Sequence, residues 1–206
     1  MIVKVCGMRD ADNIRDVEAL DIDWMGFIFY PKSSRDVSGS RPPYLPSGCK
    51  RVGVMVNPSL DEIRERQADY RFDLIQLHGD ESPEFCTEVK SLLPEVKFIK
   101  MVQVTDKETL NAAVRQYEEV VDYFLFETKT SGYGGSGRQF DWTLLQSYEG
   151  RLPFLITGGI GPDDAEKVKA FSHPKFAGID INSRFETAPA LKDVNLIRRF
   201  VSCVKP

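Results

Sequence analysis

The sequence predicts an α/β protein of one domain spanning residues 1–206, in which eight parallel strands, each followed by a helix or loop, close into a barrel. Three observations carry that reading. Apolar, β-branched runs recur eight times at intervals of roughly 20 to 30 residues, with amphipathic helical segments between most of them. Strands that alternate with helices pair in parallel through right-handed crossovers. Eight such units match a (β/α)8, or TIM, barrel, and 206 residues stand near the roughly 200-residue floor of that fold. A doubly wound open sheet is the alternative, but no GxGxxG follows the first run to support it.

The strand runs fall at residues 2–6, 24–30, 51–56, 74–78, 97–102, 123–127, 153–157 and 176–181. Helical candidates occupy 10–20, 59–70, 83–93, 106–120, 161–171 and 191–204. Ser59 opens SLDE, a weaker form of the capping box, and Asp61 and Arg66 supply a polar face beside Ile63. Pro162, just after Gly161, suits a first helical turn. Residues 33–48, rich in Ser, Pro and Gly, read as a long loop. The run 123–127 is aromatic and aliphatic until its final Glu127, and then opens into a loop holding Gly132, Gly134, Gly135 and Gly137. Asp141 is placed to cap a helix before Trp142. Glycine permits positive φ and close approach of backbone N–H groups, so this loop reads either as a holder of a small anion or as a plain surface hairpin.

Net charge −4 and a pI of about 5.3 argue against nucleic acid or an anionic membrane as partner. Met1 leads straight into an apolar run with no basic n-region, long h-region or cleavage site, so no signal peptide is expected. No window is long enough to span a bilayer. Cys6, Cys49, Cys86 and Cys203 lie far apart without a CxxC pair, and with only His78 and His173 beside them a zinc site has no support. The expectation is a soluble, cytoplasmic protein without a metal.

Barrels of this kind carry their chemistry at the C-terminal strand ends. Those ends are Cys6-Gly7, Tyr30, Asn57, His78-Gly79, Glu127, Thr157-Gly158-Gly159 and 180–183, polar or reactive residues closing apolar strands. Cys6 reads as a small buried hydrophobe, or as a base or nucleophile if the face it shares with Lys4 turns inward and the ammonium favours thiolate. Glu127 reads as a solvated acid paired with Lys129, or as a half-buried general acid whose pKa burial raises. Asp180 reads as a loop acid or helix cap. Gly158-Gly159, coming on the seventh of eight strands with Asn182-Ser183 after the eighth, fits an anion site of backbone N–H groups better than a plain turn. Arg35 can meet a carboxylate bidentately or stand in solvent.

Six segments occur in order: KVCGMRD, FYPKSSR, QLHGDE, ETKTSGYGGSGRQFDW, LITGGI and GIDINSRFETAPALKD. Together, over essentially the whole chain, they resemble the phosphoribosylanthranilate isomerase family of tryptophan biosynthesis. The resemblance implies a (β/α)8 barrel and a cofactor-free Amadori rearrangement of N-(5′-phosphoribosyl)anthranilate to 1-(2-carboxyphenylamino)-1-deoxyribulose 5-phosphate. It implies Cys6 as general base at ribose C2′ and Glu127 as general acid at the ring oxygen. Substrate contacts would come from Arg35, His78, Gly135, Gly137 and Asp180, with Arg35 near the anthranilate carboxylate and Asp180 facing the ribose hydroxyls. Phosphate contacts would come from Gly158, Gly159, Asn182 and Ser183. The partner implied is this small phosphorylated substrate, handled by a monomer or homodimer.

Two positions depart from the family pattern. FETK stands where an aspartate is usual, making Glu127 one methylene longer, a change in reach of about 1.5 Å. NSRF stands where SSG is usual, removing a glycine and adding Arg184. The neighbouring indole-glycerol-phosphate synthase reading would want a lysine and a glutamate on early strands, and RVGVMVN ends without either. A binding protein that kept the phosphate pocket but lost catalysis is the reading of another class.

Overall fold

The computed structural model describes residues 1–39, 41–128 and 142–205. Eight strands form the barrel wall: β1 (Ile2–Val5), β2 (Trp24–Phe29), β3 (Lys50–Met55), β4 (Leu74–Leu77), β5 (Lys97–Val104), β6 (Tyr123–Thr128), β7 (Phe154–Thr157) and β8 (Phe176–Ile181). They pair in chain order, and β1 pairs with β8 in parallel to close the ring. Helices α1 (Ala11–Glu18), α2 (Leu60–Tyr70), α3 (Pro83–Leu92), α4 (Lys107–Tyr117), α5 (Ala165–Ala170) and α6 (Val194–Val204) follow strands one, three, four, five, seven and eight. The long loop expected after β2 carries no helix among its described residues; it turns back so that Val37 N–H donates to Ile28 O at 2.9 Å. The glycine loop after β6 and Asp141 lie outside the described residues, and the chain re-enters as a 3-10 turn at Trp142–Ser147.

Strand parity divides the core in two. Val3, Val5, Met25, Phe27, Phe98 and Phe124 point outward into the layer under the helices. Trp24, Val52, Val54, Leu74, Ile99, Leu125 and Leu155 fill the barrel interior, with Trp24 and Tyr123 edge to face at 5.2 Å. Alternation along each strand makes both sets at once. On β1 that parity turns Lys4 and Cys6 inward, so a lysine is buried inside the barrel.

Helix starts follow their caps. Asp106 and Thr109 form a reciprocal capping box at α4, and Ser59 and Ser82 accept the N3 N–H of α2 and α3. Two helices begin later than periodicity suggests. Residues 162–164 form a 3-10 turn, because the Asp164 carboxylate takes the Gly161 N–H at 2.6 Å before α5 can start. Leu191 and Lys192 are strand, not helix: β9 (Glu186–Ala188) and β10 (Leu191–Lys192) pair antiparallel. Asp193 then caps α6 by accepting the N–H groups of Asn195 and Leu196, each at 3.0 Å. Among the described residues no helix is long and apolar enough to cross a membrane.

The buried lysine is held by Asp180, whose Oδ2 lies 2.7 Å from Lys4 Nζ. Removing one member of a buried pair strands the other charge. Lys4→Met is therefore expected to lose about 3–5 kcal/mol of unfolding free energy in urea, and adding Asp180→Leu to recover more than half of it. Equal stability of Lys4→Met and wild type would show that the pair does not hold the barrel.

Candidate active site

At the C-terminal mouth the strand ends enclose a cavity of about 530 Å³. Cys6 enters from β1, His78 from the end of β4, Glu127 from β6 and Asp180 from β8. Gly158, Gly159, Asn182 and Ser183 form the rim on the β7–β8 side. Of the strand-end residues singled out in the sequence, Asn57 does not line this cavity, and neither does Arg35. Gly135 and Gly137 fall outside the described residues. Among the described residues no group of His, Cys, Asp and Glu is arranged to hold a metal ion.

Cys6 sits beside Lys4, as the shared parity requires, but its charge state is not the one that proximity alone suggests. Burial pushes the Cys6 thiol up; Lys4 and Lys192 pull it down, and Asp180 adds to the rise. Lys4 is already committed to Asp180, so its pull is partly cancelled, and the resting group is the thiol rather than the thiolate. Lys4 itself stays charged: burial works against it, and Asp180 and Cys6 more than offset that. Gly26 makes the room, since a Cβ there would stand 2.8 Å from Cys6 Sγ. The second Asp180 oxygen, Oδ1, is buried without a hydrogen-bond partner among the described residues, an acceptor that a hydroxyl in the cavity would satisfy.

Glu127 pairs in register with Gln103 on β5 and Thr157 on β7. Burial raises its pKa above the ordinary glutamate value, the Asp180 charge adds to the rise, and a bond from Gln103 opposes it. His78 is displaced the other way: burial, then Lys4 and Lys100, bring it down to about 4 against the partial support of Glu81. It is neutral at pH 7, and its Nδ1 lies 2.6 Å from Gln76 Nε2. An amide nitrogen can only donate, so Nδ1 accepts and the ring proton sits on Nε2. Gln76 Oε1 is a further buried acceptor without a partner among the described residues. Sequence reasoning gave Gln76 no role, although it opens the QLHGDE segment, and passed over Gln103, which belongs to no such segment.

Asn57 has a structural task. With φ at +48° it turns the chain, its Oδ1 accepts Asp80 N–H at 2.7 Å, and its N–H donates to Glu81 Oε1 at 2.9 Å. Glu81 also takes the Gly79 N–H at 3.0 Å and buried Lys100 Nζ at 2.9 Å, fixing the end of β4 that carries His78.

On the rim, Gly158 and Gly159 have φ of +95° and +71°, the conformation that favours glycine and turns successive N–H groups together. A Cβ on Gly159 would meet nothing within 4 Å, so the space above it is open. Thr157 Oγ1 donates to Asp180 O at 3.2 Å and ties this loop to β8. The glycine missing from NSRF is not needed: residues Ser183–Phe185 form a 3-10 turn, Arg184 is not among the positive-φ residues, and Phe185 is buried against Phe200 at 5.0 Å. Arg184 lies over the loop, its Nε 2.6 Å from where a Gly161 Cβ would stand, and makes no ion pair among the described residues. Arg35 has its carboxylate partner inside the chain, with Nη2 2.6 Å from Glu186 Oε2.

This fold and this cavity define a (β/α)8-barrel enzyme with its polar groups gathered at the C-terminal mouth. Residues 3–203 match the family model for N-(5′-phosphoribosyl)anthranilate (PRA) isomerase, and the chain belongs to that family. It is an isomerase of tryptophan biosynthesis. The N-(5′-phosphoribosyl)anthranilate isomerase of Phocaeicola vulgatus is 48% identical over 206 residues, covering 100% of this chain and 98% of the relative. The crystal structure of phosphoribosyl anthranilate isomerase from Thermotoga maritima is 30% identical at a TM-score of 0.83, covering 100% of this chain and 99% of that one. A phosphoribosyl anthranilate isomerase in complex with reduced 1-(o-carboxyphenylamino)-1-deoxyribulose 5-phosphate is 27% identical at a TM-score of 0.80, with the same coverage.

The depressed His78 gives a linkage that can be read directly. The unfolded chain takes up a proton near 6.5 that the native chain refuses until about 4, so this group removes stability as pH falls through that window. The His78 ring resonances in an NMR titration are expected to keep their neutral-imidazole positions down to about 5. A midpoint near 6.5 would show that the imidazole is solvated and not held by Gln76.

Proposed function

We propose that the chain converts N-(5′-phosphoribosyl)anthranilate to 1-(2-carboxyphenylamino)-1-deoxyribulose 5-phosphate, with Glu127 as general acid and Cys6 as general base. The observation that supports this most is one cavity lined by both groups, with the carboxyl of Glu127 raised toward holding a proton. Glu127 gives its proton to the furanose oxygen as the C1′–O bond breaks, and the anthranilate nitrogen lone pair forms the iminium. Cys6 as thiolate takes the C2′ proton. The C–H electron pair becomes the C1′–C2′ double bond and neutralises the nitrogen, and the resulting enolamine ketonises to the product. The iminium is the electron sink that a cofactor would otherwise supply, so the reaction needs none.

The remaining groups bind and orient. The phosphate is assigned to Gly158, Gly159, Asn182 and Ser183, far enough from C1′ and C2′ that its binding energy serves to place them. Asp180 Oδ1 accepts a ribose hydroxyl, and the His78 Nε2–H faces the substrate as a donor. Arg35 is assigned to the anthranilate carboxylate. Gly135 and Gly137, outside the described residues, are assigned to substrate on the family resemblance alone.

The test follows the loss of substrate fluorescence, with substrate made in place from anthranilate and phosphoribosyl pyrophosphate. Cys6→Ala and Glu127→Gln are each expected to lose about 10²–10⁴-fold in kcat with the fold intact. Full turnover in either removes that residue from its role. Glu127→Asp tests reach; a site built around the longer side chain loses up to ~10²-fold when it is shortened.

The pKa directions also set the pH profile. The reactive form needs Glu127 protonated and Cys6 ionised, but burial raises both groups, leaving the thiol well above the carboxyl. Between the two values the protonated fraction of Glu127 falls tenfold per pH unit while the thiolate fraction rises tenfold, so their product is constant. kcat/KM is therefore expected to be flat through neutrality. It should fall below the Glu127 pKa, where thiolate is lost without compensation, and above the Cys6 pKa, where the acid is lost. A profile rising steeply through neutral pH would contradict the pair of assignments.

A further inference from the structure

Behind Cys6, the loop after β2 meets the β9–β10 hairpin, and one carboxylate there lies between two cations. Arg35 Nε donates to the two Glu186 oxygens at 2.9 and 3.1 Å, and its Nη2 donates to Oε2 at 2.6 Å. Lys192 Nζ donates to Glu186 Oε1 at 2.5 Å and to Asn182 Oδ1 at 2.7 Å. The Ala190 N–H completes the shell of Glu186 at 3.1 Å. The side chains of Lys192 and Glu186 are 0% and 5% exposed. Burying such a cluster costs desolvation that apolar side chains of similar volume would avoid, so stability is a weak reason for its presence.

Its connections lead to the cavity. Asn182 lines the cavity wall and is held from behind by Lys192. Gly7, at φ +77°, lets the cluster pack directly on the residue after Cys6: a Cβ there would stand 2.6 Å from Arg35 Cδ and 2.9 Å from Asn182 Oδ1. Arg35 uses only its Nε/Nη2 edge on Glu186. Its Nη1 makes no hydrogen bond among the described residues, which leaves the end of the fork for a second carboxylate.

We propose that Glu186 is a positioning residue of this site: it clamps Arg35 and Lys192 together, so that the free edge of the arginine serves the substrate carboxylate while the lysine sets Asn182 and places a positive charge beside Cys6. The proposal rests on the assignment of Cys6 as base. The charged groups acting on the thiol are Lys4 from β1, Asp180 from β8, Lys192 from β10 and Arg35 from the loop after β2. Lys192 favours the thiolate, in the same sense as Lys4 and against Asp180.

The test reads the Cys6 titration directly, as the ultraviolet absorbance of the thiolate in each variant minus that of its Cys6→Ala counterpart. Lys192→Met removes a cation, so Cys6 is expected to titrate about one pH unit higher, with kcat at neutral pH falling about tenfold. Lys192→Arg should restore both values. Glu186→Gln leaves two cations without their counter-charge, so Cys6 should titrate lower, while KM rises about tenfold as Arg35 and Asn182 lose their anchor. Should Lys192→Met not fold, Lys192→Gln carries the same expectation. Opposite displacements in the two variants support the clamp. Displacements of one sign, or none beside a lowered melting temperature, would mean that the cluster only braces the hairpin, and would overturn the proposal. Opposite displacements together with full turnover in Cys6→Ala would support the clamp and remove Cys6 as the base.

Discussion

A barrel of parallel strands has one seam where its first strand must find its last, and here the seam carries a charge on each side. Lys4 of β1 and Asp180 of β8 are partners in the strand register, and their side chains meet inside the barrel at 2.7 Å. Neither charge is tolerable there alone, so closure and neutralisation depend on each other. The electrostatics of the mouth descend from this pair. Asp180 raises both the thiol of Cys6 and the carboxyl of Glu127, Lys4 opposes the first of these effects, and Lys4 helps keep His78 neutral.

The two sides of the mouth are built differently. Toward β7 and β8 the wall is backbone, with Gly158 and Gly159 at positive φ and open space above Gly159. Toward β4 and β5 it is side chain, and Glu81 fixes the strand ends through bonds to Asn57, Gly79 and Lys100. Glu186 and its two cations sit behind the β8 side, and Lys192 is bonded to Asn182 of the cavity wall.

Much of this was legible in the chain. Eight apolar runs in alternation with helical segments led to a closed barrel, because hydrophobic period and connection length leave few other parallel arrangements. The inward face of β1 followed from the two-residue repeat that puts Lys4 with Cys6 and Val3 with Val5. Strand-end position then brought Cys6, His78, Glu127 and Asp180 to one cavity. Boundaries were less legible where a single side chain intervened. Asp164 delayed α5, and Leu191-Lys192 paired with β9 before Asp193 could start α6.

What the sequence by itself determined is therefore the order of elements, the face each strand turns inward and the end of the barrel where polar residues collect, since each follows from local periodicity. The tertiary structure alone decided which charges meet. That Lys4 pairs with Asp180 as well as acting on Cys6, and that Arg35 is already held by Glu186, are contacts between residues on different strands and loops. Protonation at this mouth is a balance of desolvation against partners brought within about 3 Å by closure, and no periodicity along the chain encodes such a balance.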